Sequence, residues 1–182
     1  YLTSLGEEWK GAYSAALAFI KQNNVRFAFN PGSSQFNTQA DIFLDALKNS
    51  EVLILNKEEA LKIAKKEEDD MIKLLVHLQS FGLKTLVITD GANGSFAGSG
   101  NAFYHIGVFP ADVVSKTGAG DAYAAGFVAA LIKDLSMQEA MRWGAVNAAS
   151  VVQKVGAQAG LLTAEELEKL LSDHPEFTAK QL

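Results

Sequence analysis

PADVVSKTGAGDAYAAGF, residues 110–127, is the stretch on which the reading of this chain turns. Val113 and Val114 read as an apolar extended run. Thr117-Gly118-Ala119-Gly120-Asp121 follows, and from Ala119 to about Ile132 the residues are uninterrupted helix formers. That order sets small residues and free backbone N–H groups at a helix N-terminus, where an anion such as a phosphate binds well. Glycine lets the backbone come close to such a group, since no side chain intervenes. Asp121 falls in the first helical turn, beside the anion. A carboxylate is out of place in a site that only holds anions. It fits if it takes a proton from a hydroxyl attacking that phosphate. A plain strand-to-helix turn capped by small residues would use the same letters.

Outward from this turn, strand-like and helix-like stretches alternate. Gly11 to Gln22 carries an apolar stripe at helical spacing (Ala12, Ala16, Leu17, Ile20). Val25 to Phe29 reads as a strand ending in the turn Asn30-Pro31-Gly32. Helix is predicted over Asp41 to Lys48, strand over Glu51 to Leu55, and helix over Glu58 to Lys66. After the acidic residues Glu67 to Asp70 comes another helix, reaching Phe81. Thr85 to Thr89 is a β-branched strand, and Ser95 to Ala97 with Ala102 to Ile106 reads as a hairpin. A helix from Met137 to Gln153 and a last one after Thr163, with capping-box spacing to Glu166, complete the chain.

Such alternation predicts βαβ units: an α/β fold with a mostly parallel central sheet, helices on both faces, Rossmann-type layers and a single domain over residues 1–182. Ligands of such sheets sit beyond the C-terminal strand ends. The loops Asn30 to Ser34, Asn56 to Glu59, Thr89 to Gly94 and the 117–121 turn are therefore expected along one edge. On its residues alone, Asn56-Lys57-Glu58-Glu59 reads equally well as a helix N-cap with acidic first-turn residues. Thr89-Asp90-Gly91-Ala92-Asn93-Gly94 reads equally well as an ordinary turn.

Thr117 to Asp121 resembles, without a gap, the second signature of the ribokinase-like (phosphofructokinase B type) carbohydrate kinases, Asp-Thr-x-Gly-Ala-Gly-Asp. Asn56 and Glu59 are similar to that family's Asn-x-x-Glu motif, and Thr89 to Gly94 to its Thr-x-Gly-x-x-Gly turn. The three follow in family order, and the likeness runs from about residue 25 to residue 160. The resemblance implies an ATP-dependent kinase acting on a hydroxymethyl group of a small sugar or nucleoside, with Mg²⁺. It implies Asp121 as the base and the backbone of Gly118, Ala119 and Gly120 as an anion hole. Thr117, Thr89, Gly91, Gly94 and Asn56 would lie at the nucleotide phosphates, and Glu59 would serve Mg²⁺, partly through water. Asn147, in a helix with small residues at Ala145, Ala148 and Ala149, would lie at the adenine, although close helix packing accounts for these residues as well. Gly156 and Ala157 would border a monovalent-cation loop. Ser115 stands where the family's first Asp would be, six residues before Asp121, which speaks against potassium activation.

The family's N-terminal Gly-Gly motif and small β-sheet lid have no counterpart, and the chain opens at Tyr1-Leu2-Thr3 without a Met. The expectation is a C-terminal, nucleotide-binding portion lacking the lid and first strands, weakly active or inactive by itself. Its exposed sheet edge would allow a homodimer. A net charge of −5 argues against nucleic acid as a partner, and the absence of cysteine rules out disulfides and thiolate metal sites. With no signal peptide and no apolar run long enough for a bilayer, the cytoplasm is the expected location. Two alternatives stand beside the kinase: a non-catalytic nucleotide-binding module on the same fold, and a kinase for a vitamin-type alcohol. A dinucleotide oxidoreductase is disfavoured, because no Gly-x-Gly-x-x-Gly follows the first strand.

Overall fold

The computed structural model describes residues 1–6, 9–32 and 41–182. In chain order the elements are β1 (Leu2–Thr3), α1 (Trp9–Asn23), β2 (Ala28–Asn30), α2 (Asp41–Asn49), β3 (Val52–Asn56), α3 (Lys57–Ala64) and α4 (Met71–Gln79). They continue with β4 (Thr85–Thr89), β5 (Ser95–Ser99), β6 (Ala102–Ile106), α5 (Ala119–Ile132), α6 (Met137–Val152), α7 (Ala164–Asp173) and β7 (Lys180–Gln181). Among the described residues the strands form one seven-stranded, mostly parallel sheet in sequence order. β1 and β2 pair in parallel with Leu2 opposite Phe29, and β2 and β3 with Ala28 opposite Val52. β7 closes antiparallel on β6, with Tyr104 opposite Gln181. The residues Ser33 and Ser34 of the predicted Asn30 to Ser34 loop lie outside the described residues.

The chain divides into two compact units: Tyr1–Ile88 with Gly98–Asn101, and Thr89–Ala97 with Ala102–Leu182. In the first unit, Val52 to Leu55 of β3 are all buried, the continuous apolar run expected of a strand covered on both sides. Trp9, Tyr13 and Leu17 give α1 one buried stripe. The rings of Trp9, Tyr13, Phe29 and Phe43 follow one another in edge-to-face contacts with centroids 5.0, 5.7 and 6.0 Å apart. The Tyr13 hydroxyl donates to the Thr3 carbonyl at 2.9 Å, tying α1 to β1, and burial pushes its pKa up to about 12.

In the second unit, α5 is almost wholly apolar and packs against α6. A Cβ on Gly126 would lie 2.7 Å from the Trp143 carbonyl oxygen, and one on Gly144 would lie 3.0 Å from the Tyr123 ring. The two glycines therefore set how closely the helices approach. Arg142 of α6 holds the last turn of α7 and the segment after it: its guanidinium donates to the Phe177 carbonyl, to that of Leu171 at 3.2 Å and to that of His174 at 3.1 Å. Glu139 completes the set at 2.8 Å. A cation on carbonyls at a helix C-terminus is favoured by the helix dipole as well as by hydrogen bonding. Arg142→Ala is expected to destabilise the protein by about 1.5–3 kcal/mol, read as a lower urea midpoint with faster amide exchange around Phe177. An unchanged midpoint would refute this.

The extended run predicted at Val113 and Val114 is corrected by the structure. β6 ends at Ile106, and no strand is assigned between there and α5. Both valines are exposed, at 60% and 61%. The backbone here is bound to the last residue of α6 instead: the Val114 and Ser115 N–H groups donate to the Val152 carbonyl at 2.8 and 3.0 Å. A helix's final carbonyls lack intrahelical partners, so Val152 is free to accept both.

Candidate functional site

Gly118 is the N-cap of α5 and adopts φ 83°, ψ −2°, a left-handed conformation that favours glycine. Space imposes the same choice, because a Cβ there would stand 2.7 Å from Cα, Cβ and the carbonyl oxygen of Ala157. The turn closes through the Ala122 N–H on the Gly118 carbonyl at 2.8 Å, and the Ala119 N–H reaches the Lys116 carbonyl at 3.3 Å. The N–H groups of Gly118, Gly120 and Asp121 have no acceptor among the described residues. Open space lies where a Cβ of Gly120 would stand. Asp121 is exposed in the first turn of α5, and its carboxylate makes no hydrogen bond or ion pair among the described residues. Thr117 is exposed, its N–H donating to Ser115 Oγ at 3.3 Å. Three unpaired donors and one uncommitted carboxylate thus fall within four consecutive residues.

Thr89 ends β4, and Gly91–Asn93 forms a short 3₁₀ turn. The Asp90 N–H donates to the Gly94 carbonyl at 2.8 Å and the Asn93 N–H to the Asp90 carbonyl at 2.9 Å. Gly94, at φ 83° and ψ −136°, crosses the end of β6 so closely that a Cβ would meet the Ile106 carbonyl oxygen at 2.0 Å. Gly91 has φ 52° but open space around it. The sequence offered no signal for His105, which donates from Nε2 to the Asn93 carbonyl at 2.9 Å while its ring lies 4.4 Å from that of Phe96. Nor did it signal Tyr123, whose hydroxyl bonds to the buried Ser95 Oγ at 2.7 Å. Burial raises the Tyr123 pKa. That bond joins the residue after Gly94 to the first turns of α5, so the two glycine turns share one tether.

Asn147 is 3% exposed. Its Nδ2 donates to the Ala122 carbonyl at 2.8 Å and its Oδ1 accepts from the Leu162 N–H at 3.0 Å. Both ends of the amide are therefore engaged within the protein.

In the first unit, Asn56 and Glu59 form a complete capping box at the start of α3. Asn56 Oδ1 accepts from the Glu59 N–H at 2.8 Å, and Glu59 Oε2 accepts from the Asn56 N–H at 2.9 Å. Burial pushes the Glu59 carboxyl above its usual range, outweighing the Asn56 N–H and the nearby Lys62. Glu59 Oε1 has no hydrogen-bond partner among the described residues.

Fold and turns together define a layered α/β protein with glycine-led turns after β4 and at the head of α5. The chain belongs to the pfkB family carbohydrate kinases, whose family model matches residues 3–164. It is similar to a ribokinase of Haemophilus influenzae, 30% identical over 86% of this chain and 50% of the relative. It is also similar to a cytidine kinase of Thermococcus kodakarensis, 30% identical over 75% of this chain and 50% of the relative. The chain thus spans about half the length of these relatives. An E. coli protein solved in complex with ATP and Mg²⁺ shares the fold with a TM-score of 0.79 and 20% identity, over 90% of this chain and 54% of that one. No helix among the described residues is long and apolar enough to cross a membrane.

Proposed function

We propose that this chain carries the nucleotide-side machinery of a kinase that phosphorylates a hydroxymethyl group of a sugar or nucleoside. The observation that carries the reading is the Gly118–Asp121 turn, with three unpaired N–H donors beside a free carboxylate in a chain of this family. Asp121 takes the proton of the acceptor hydroxyl as its oxygen attacks the terminal phosphorus of ATP, whose bond to the bridging oxygen breaks so that ADP leaves. The N–H groups of Gly118, Gly120 and Asp121 donate to oxygens on which charge builds, at a helix end whose dipole favours that charge. Thr117 and the Thr89 to Gly94 turn, with Asn56, hold nucleotide phosphates. Bound Mg·ATP supplies the phosphoryl group, with the cation drawing charge from it.

The donor set suits such a cation. No group of three or more His, Asp or Glu among the described residues could hold a metal by itself, whereas Mg²⁺ is commonly bound by one or two carboxylates plus substrate phosphates. Glu59, with one oxygen unused, is the proposed protein contribution.

A neutral amide at that position separates capping from metal support. Glu59→Gln keeps an acceptor for the Asn56 N–H and removes a charge that burial penalises. The raised carboxyl favours folding below the ordinary carboxylate range, and that stability is lost as pH rises through the raised value. At neutral pH the variant should therefore melt at the same temperature as the parent or higher. It should also need more Mg²⁺ for half-maximal ATP binding. An unchanged Mg²⁺ requirement would remove Glu59 from the site.

The function is tested by calorimetric titration of the chain with Mg·ATP and Mg·ADP, followed by ADP release from the full-length protein with ribose, cytidine and adenosine as acceptors. Saturable nucleotide binding with turnover of one acceptor supports the kinase. Folded protein that neither binds nucleotide nor turns over an acceptor refutes it.

A further inference from the structure

We infer that Asn147 is a positioning residue for the Asp121 turn. The inference rests on Asp121 as the base, but its evidence is independent of any ligand. The Asn147 carboxamide is buried at 3% exposure and bonded at both ends within the protein, its nitrogen to α5 and its oxygen to the loop after α6. Ala122 directly follows Asp121. Its carbonyl sits in the first turn of α5, so the bond from Nδ2 at 2.8 Å fixes where that turn lies on α6.

Two further contacts make α6 a clamp. Upstream of the turn, the Val152 carbonyl at the end of the same helix holds the Val114 and Ser115 N–H groups. On the far side, Asn147 Oδ1 holds Leu162, where the loop after α6 rejoins the helical layer. That loop carries Ala157, which lies against Gly118. Asn147 thus sets the head of α5 and the loop packed on it in one register. Gly126 permits the approach, since a Cβ there would lie 3.2 Å from Asn147 Cβ. Catalysis by a positioned base is sensitive to displacements of about 1 Å, which cost on the order of 100-fold in rate.

The test is Asn147→Asp in the full-length protein. Aspartate keeps an acceptor for the Leu162 N–H but sets an oxygen against the Ala122 carbonyl. The expected result is a kcat lower by about 10- to 100-fold, with the Kd for Mg·ATP within about threefold of the parent. In ¹⁵N-labelled protein the amide resonances of Gly118, Gly120 and Asp121 should move. A raised Kd with unchanged kcat would make Asn147 an adenine contact and overturn the inference. A lower melting temperature with unchanged kcat and unmoved Gly118–Asp121 resonances would make it a packing residue and overturn it too. If Asn147→Asp does not fold, Asn147→Ser, short enough to admit a bridging water, is measured against the same criteria. Failure of the kinase reading shows separately, as a parent protein inactive with ribose, cytidine and adenosine. The resonance shifts then decide the positioning role alone.

Discussion

Asp121→Asn in the full-length protein is expected to lower turnover by about 10²- to 10⁴-fold, the range that a positioned general base contributes. Affinity for Mg·ATP should change little. Asparagine has nearly the shape of aspartate and can still accept hydrogen bonds, but it cannot take up the acceptor's proton. Asp121 is exposed and has no partner among the described residues, so no internal bond is lost. Weakening of its favourable interaction with the N-terminus of α5 costs about 0.3–1 kcal/mol, too little to unfold the protein and mimic lost catalysis. Steady-state kinetics and calorimetry on the same preparation separate the two effects. Turnover within about tenfold of the parent would remove Asp121 from the role of base.

Gly94→Ala should produce the largest change in stability. The backbone there, at φ 83° and ψ −136°, lies in a region used almost only by glycine. A methyl group would stand 2.0 Å from the Ile106 carbonyl oxygen and 2.8 Å from Gly107 Cα. These are backbone atoms at the end of β6, so no side chain can rotate away and the two segments must part. Strain and overpacking together give a loss of roughly 3 kcal/mol or more. Gly91→Ala is the control: its φ is 52° with nothing within 4 Å, and a left-handed alanine costs only about 1–2 kcal/mol. Equal urea midpoints for the two variants would show that the crossing at Ile106 does not constrain the chain.

Much of the α/β layout was legible where a local rule decides it. The run Thr85–Thr89 is β-branched and apolar, and it forms β4 with the predicted bounds. Alanine-rich α5 begins at Ala119 and ends at Ile132 as its composition indicates. Thr163 and Glu166 make the predicted capping box, because both partners lie within one helical turn. Val113 and Val114 misled because β-branched residues favour extended backbone whether or not a neighbouring strand exists. Here the chain meets the end of α6 instead. β7 escaped notice because Lys180–Gln181 has no apolar alternation, and its pairing depends on β6, distant in sequence.

The sequence by itself determined the order of the elements from α1 to α7, the family and the two glycine turns, but neither of the two-residue edge strands β1 and β7. Those features rest on backbone dihedrals, small side chains and spacings within a few residues. Only the tertiary structure decided what the polar side chains do. Asn147 became a bridge because its partners stand 25 and 15 residues away, on α5 and before α7. Ser95 became the partner of Tyr123 across 28 residues, and His105 that of Asn93 across 12. A buried polar group must find a hydrogen bond wherever packing brings one within reach. Which group that is depends on how helices and strands come together, and no local pattern carries that information.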